Sequence, residues 1–90
     1  MQAVHAAIAA GEYVYAGHAL KRLAERKVSQ PEVQQVLVSG YHEKAKDAFD
    51  GHFQSWNYAI RGKTVDSREL RVVVTFDATM LVVTVVDPKD

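Results

Sequence analysis

Ninety residues, 48% of them hydrophobic, allow one globular domain over residues 1–90 and exclude both a second core and a disordered tail. The chain has no cysteine, which removes disulfides, thiol catalysis and the common structural zinc sites. Eleven basic residues balance eleven acidic ones, which argues against strong non-specific nucleic-acid binding, an affinity that comes from neutralised phosphates.

The charge is nevertheless uneven. Lys21, Arg22, Arg26 and Lys27 stand together against Glu25 alone, while acidic residues gather later, so a local basic face survives on a neutral chain. No apolar run reaches the roughly 20 residues of a membrane helix. The first ten residues lack the basic and long apolar stretches of a leader, so a cytoplasmic location is expected.

In chain order, Val4, Ala7 and Ile8 recur at helical spacing before Gly11, predicting a helix over residues 2–10. Tyr13-Val14-Tyr15 reads as a short extended piece. Residues 18–27 read as a second helix, with Ala19, Leu20, Leu23 and Ala24 inward and His18, Lys21, Arg22, Glu25 and Arg26 outward. The third helix carries the clearest punctuation. Ser29 and Glu32 form a capping box, Pro31 lies in the first turn, Val33, Val36 and Leu37 form the inward stripe, and Gly40 is the expected C-cap.

After Gly40 the period changes to two. Residues 41–46 predict a weak edge strand and Asp50-Gly51 a turn. Trp56, Tyr58 and Ile60 alternate with small or polar residues, the pattern of a strand with those three inward. Residues 62–67 read as a loop. Residues 70–76 and 81–86, dense in Val and Thr, predict central strands buried on both faces, joined by a tight hairpin at 77–80, with Pro88 ending the last one. The expected class is α+β: two or three N-terminal helices packed on a three- to four-stranded antiparallel sheet.

His18, Arg22 and Arg26 are spaced i, i+4, i+8, which places them along one helix face. Histidine moves protons near neutral pH and arginine grips phosphate through its planar fork. RNA phosphodiester cleavage needs both jobs, a base for the 2′-hydroxyl and charge stabilisation at phosphorus. The same spacing also suits the solvated face of an amphipathic helix.

The run HALKRLAERKVS followed by EVQQVLVSG, with RELRVVVTFD and LVVTVVDP further on, resembles the domain-of-unknown-function 4258 family of small bacterial proteins over about residues 13–88. Val86 stands where an aromatic often follows the strand Thr, and Leu23 where Met is usual. The layout of that family is similar to RelE/ParE-type toxins. The resemblance implies a toxin-like endoribonuclease with His18, Arg22 and Arg26 as catalytic residues. Lys21, Arg61, Arg68 and Arg71, with Lys63, would hold nucleic acid, and the implied partners are RNA or an antitoxin protein. Toxins of that type are usually strongly basic, and this chain is not.

The remaining candidates are weaker. His5, His18, His42 and His52 lack metal-site spacing, so no metal is expected. The five glycines are isolated, so no phosphate loop and no nucleotide cofactor are expected. Ser29 is explained by capping. Phe53, Trp56 and Tyr58 suit base stacking, but alternating strand aromatics read first as core, and Thr84 reads as a β-branched sheet residue. The alternative to the toxin reading is a non-catalytic protein-interaction module, a homodimer pairing through the edge strand near residues 41–46.

Overall fold

Gly11 turns the chain at φ 68, a conformation that costs glycine little. It thereby separates helix α1 (Gln2–Ala10) from strand β1 (Tyr13–Tyr15). The computed structural model describes residues 2–89. Helices α2 (Gly17–Arg26) and α3 (Gln30–Ser39) follow, then β2 (Tyr41–His42), a 3-10 turn (Lys44–Lys46), β3 (Ala48–Asp50), β4 (Ser55–Lys63), β5 (Glu69–Asp77) and β6 (Thr79–Val86).

The capping box at α3 is formed as expected. The Ser29 hydroxyl accepts the Glu32 N–H at 3.3 Å and the Glu32 carboxylate accepts the Ser29 N–H at 2.9 Å. That backbone N–H, and then the Ser29 hydroxyl, hold the Glu32 carboxyl below its ordinary range. Val33, Val36 and Leu37 are buried and Gly40 is the C-cap.

The class is α+β, but the sheet is larger than the three or four antiparallel strands expected. Five strands run in the order β1-β6-β5-β4-β2, and β3 also pairs with β4. β4, β5 and β6 form the expected antiparallel meander. β1 adds a parallel pair with β6, Tyr13 opposite Met80 and Tyr15 opposite Val82. Three residues too short to signal a strand on their own acquire one because β6 presents an open edge to them.

The residues 41–46 do not form one edge strand. Only Tyr41 and His42 pair with β4, and the chain then coils into the 3-10 turn before β3 resumes pairing. Asp47 explains the interruption: its Oδ1 accepts the Ala59 N–H at 2.9 Å, taking the ladder position a strand carbonyl would fill. The expected loop over 62–67 is shorter, since β4 continues through Lys63.

β5 and β6 are not buried on both faces. Leu70, Val72 and Val74 of β5, with Met80, Val82 and Val85 of β6, are fully buried beneath the helices. Their alternating neighbours Arg71, Val73, Leu81 and Val83 are only half-buried. Helices therefore cover one face, as expected of the layers. The core joins that face to Val4, Ala19, Leu23, Val28, Val33, Val36 and Leu37. Its roughly 1.5–3 kcal/mol per buried aliphatic side chain is the main term holding helices to sheet.

On α2 only Ala19 and Leu23 are buried. Leu20 is 45% exposed and Ala24 is exposed, against the wider inward face expected. α2 packs against β6, and a narrow apolar stripe is enough to do so. Trp56 was expected inward beside Tyr58 and Ile60. Ile60 is buried, whereas Trp56 is 49% exposed, because the β3–β4 hairpin runs past the helical layer.

Candidate functional site

The side chains of α2 form a descending line. A helix turns about 100° per residue, so residues four apart drift by about 40° around it. His18 is exposed, Arg22 is partly exposed, and Arg26 is half-buried on the side of Ala19 and Leu23. His18 and Arg22 are brought together: the Arg22 Nε–H donates to His18 Nε2 at 3.4 Å. Nε2 uses its lone pair in accepting this bond. Arg22 also meets the Glu25 carboxylate at 3.4 Å, an exposed pair of small energetic weight. Lys21 lies exposed on the same helix.

The other cations expected at this site are engaged elsewhere. The Arg68 guanidinium donates to the backbone carbonyls of Arg26 at 2.6 Å and Lys27 at 3.3 Å. A cation there complements the negative end of the α2 dipole. Arg61 and Arg71 stand opposite one another across β4 and β5, with Glu43 bridging them. Glu43 accepts Arg71 Nε–H at 2.7 Å and Arg61 Nη1–H at 3.2 Å, and Glu69 accepts Arg61 Nη2–H at 3.0 Å.

The hydrogen bond from Arg71, followed by that from Arg61, holds the Glu43 carboxyl below its ordinary range against the opposing effect of burial. Glu69 and then Glu43 raise Arg61 further above its already high range. Two arginines and two carboxylates thus answer each other on the sheet face away from the helices. Lys63 is exposed at the end of β4.

Sequence reasoning missed one polar pair. His42 Nε2 lies 2.7 Å from Asp47 Oδ2, with the two side chains 19% and 13% exposed. The separation of five residues matches neither helix nor strand periodicity, and only the 3-10 turn brings the two together. His42 also packs edge-on against Tyr58, ring centroids 5.8 Å apart. Among the described residues no three of His, Asp and Glu gather into a metal-binding group.

The aromatic residues read first as core divide. Tyr58 is half-buried against Phe76, centroids 6.1 Å apart. Phe49, Phe53 and Trp56 are 50%, 74% and 49% exposed, and Phe49 meets Trp56 edge-on at 5.5 Å. Their alternation follows the strand, but no helix covers them.

Residues 15–87 match the family described as a domain of unknown function, DUF4258. The match spans most of the chain, and the protein belongs to that family. No curated protein and no solved structure matches it, so the RelE/ParE-like fold expected from the sequence is not confirmed by any solved structure. No helix among the described residues is long and apolar enough to cross a membrane.

Proposed function

We propose that this member of the DUF4258 family is a toxin-like endoribonuclease that engages RNA through the exposed face of α2. The observation that carries the reading is the contact between Arg22 Nε–H and His18 Nε2 on an accessible surface. It sets an imidazole nitrogen beside a guanidinium whose remaining N–H groups are able to fork onto phosphate oxygens.

In this reading an RNA 2′-hydroxyl replaces Arg22 as the partner of His18 Nε2 and gives up its proton there. The 2′-oxygen attacks the adjacent phosphorus, the bond from phosphorus to the 5′-oxygen breaks, and that oxygen takes a proton from water. The products are a 2′,3′-cyclic phosphate and a free 5′-hydroxyl. Arg22 bears the charge that grows on the phosphoryl oxygens, while Lys21 and Arg26 add positive potential along the helix. Arg61 and Arg71, which answer Glu43 and Glu69 on the sheet face away from the helices, and Arg68, which holds the carbonyls at the end of α2, take no part in this reading.

His18→Ala is expected to lower cleavage of a single-stranded RNA by about 10²–10⁴-fold, the usual contribution of a general base. Arg22→Ala should weaken RNA binding and cleavage together, and induced expression should arrest growth only with the unaltered chain. Cleavage unchanged by His18→Ala would overturn the reading.

A second reading, a non-catalytic protein-binding module, is favoured by the exposed aromatics Tyr41, Phe49 and Trp56 along the β2 and β3 side of the sheet. It expects a dimer or a captured protein partner whose binding ignores His18→Ala but fails in Trp56→Ala.

A further inference from the structure

A cavity of about 530 Å³ opens between the β3–β4 turn and the adjoining ends of β5 and β6, within the size range of small-molecule sites, about 300–1,000 Å³. Its apolar walls include Phe53 and Phe76, and its polar rim includes Gln54, Asn57, Asp50 and Asp77. Thr75, Leu81 and Val83 also line it. Like Asn57, they alternate with the helix-covered residues of their strands, so the cavity lies on the sheet face away from the helices, reaching the sheet edge at Ala16.

The rim is rich in acceptors. Asp50 Oδ1 is occupied by the N–H groups of His52 and Phe53, at 2.9 and 3.2 Å, and its Oδ2 has no hydrogen-bond partner among the described residues. The Gln54 amide donates its N–H to the Gly51 carbonyl at 2.7 Å, which leaves the amide oxygen for a ligand. Asp77 adds a second carboxylate, this one exposed. A ligand suited to this rim brings N–H donors and a flat apolar face. Two carboxylates repel phosphate, so a nucleotide would seat its base here and keep its phosphate outside the cavity.

We propose that this cavity is a base-binding subsite for an amino-bearing nucleobase (adenine, cytosine or guanine) of single-stranded RNA. Phe53 supplies the stacking surface, and the oxygens of Asp50, Asp77 and Gln54 offer acceptors for the two hydrogens of the exocyclic amine. The inference rests on the RNA reading and names the kind of strand that site takes. Uracil, with two carbonyls and one N–H, fits the same rim poorly. The 74% exposure of Phe53 is what a stacking ring needs, and stacking on such a ring is insensitive to the neighbouring sequence.

The test uses free nucleosides, which carry no phosphate and so do not depend on Arg22. Adenosine, cytidine and uridine are titrated into the protein while the side-chain amide resonances of Gln54 and Asn57 are followed by NMR. Adenosine and cytidine should bind several-fold more tightly than uridine. Phe53→Ala should weaken adenosine about tenfold or more, as loss of a stacking platform does, and Asp77→Asn should narrow the gap between adenosine and uridine. Absence of shifts, or shifts that ignore both replacements, would overturn the subsite, including the case in which a protein partner uses this rim. Nucleoside binding without RNA cleavage would leave the subsite standing and remove the nuclease; cleavage without nucleoside binding would remove the subsite alone.

Discussion

Gly40 and Gly62 lie back to back, the end of α3 against the C-terminal end of β4. A β-carbon on Gly62 would come 2.9 Å from Gly40 Cα, and one on Gly40 would sit 2.5 Å from the carbonyl oxygens of both Arg61 and Val36. Gly40 has φ −78, which any residue adopts, so closeness and not backbone freedom requires glycine there. Backbone on both sides leaves nothing flexible to move away.

Gly40→Ala is therefore expected to destabilise the fold by roughly 1–3 kcal/mol, the usual cost of overpacking. In a domain of this size that lowers the melting temperature by several degrees or more. Gly17→Ala, where an added β-carbon meets nothing within 4 Å, should be neutral or slightly stabilising, since it removes freedom from the unfolded chain. Thermal melts of the two variants side by side check the contrast.

Tyr15 is expected to dominate the alkaline behaviour. Burial, followed by the neighbouring Tyr13, pushes its phenol from an ordinary 10 up to about 12. Its hydroxyl is buried and has no hydrogen-bond partner among the described residues. Because the folded value is the higher one, the neutral phenol contributes stability below pH 10 that is lost as pH rises toward 12. Tyr15→Phe removes both the titration and an unsatisfied hydroxyl. It should flatten the alkaline fall in urea midpoint and leave neutral-pH stability unchanged or higher by up to about 1 kcal/mol.

Glu43 governs the acid side in the opposite sense. Its folded carboxyl sits below the ordinary 4.5, first because of Arg71 and then because of Arg61. The stability it contributes is present above that ordinary value and is lost as pH falls through the lowered folded one. Glu43→Gln should lower the urea midpoint at pH 7 and shrink the drop seen on acidification to pH 3. Equal acid sensitivity in the variant and the unaltered chain would count against the bridge.

Elements written in local chemistry were legible in the sequence. The α3 cap, the Val33, Val36, Leu37 stripe, the helix over residues 2–10 and the β4–β5–β6 meander each follow from spacing and punctuation within a few residues. What escaped was set by neighbours distant in the chain. β1 is a strand only because β6 offers an edge, Trp56 stays exposed only because the helices stop short, and Asp47 breaks an edge strand by reaching Ala59 twelve residues on. At the candidate site the helical spacing brought His18 and Arg22 together. It gave no sign that Arg61 and Arg71 answer Glu43 and Glu69, because those partners meet only across the sheet register. Arg68 was unreadable for the same reason: its acceptors are backbone carbonyls more than forty residues earlier in the chain.

That reach of Arg68 gives α2 two unlike ends. The tail of the helix is pinned through the carbonyls of Arg26 and Lys27 to the turn between β4 and β5. The head starts at Ala16 without a side-chain cap. It is tied by backbone instead: the Ala16 N–H donates to the Val82 carbonyl at 3.0 Å, and Ala19 just inside the helix is fully buried. A rod fastened to the sheet at both ends is a strut, and it carries His18 and Arg22, one turn apart, on a common rigid support.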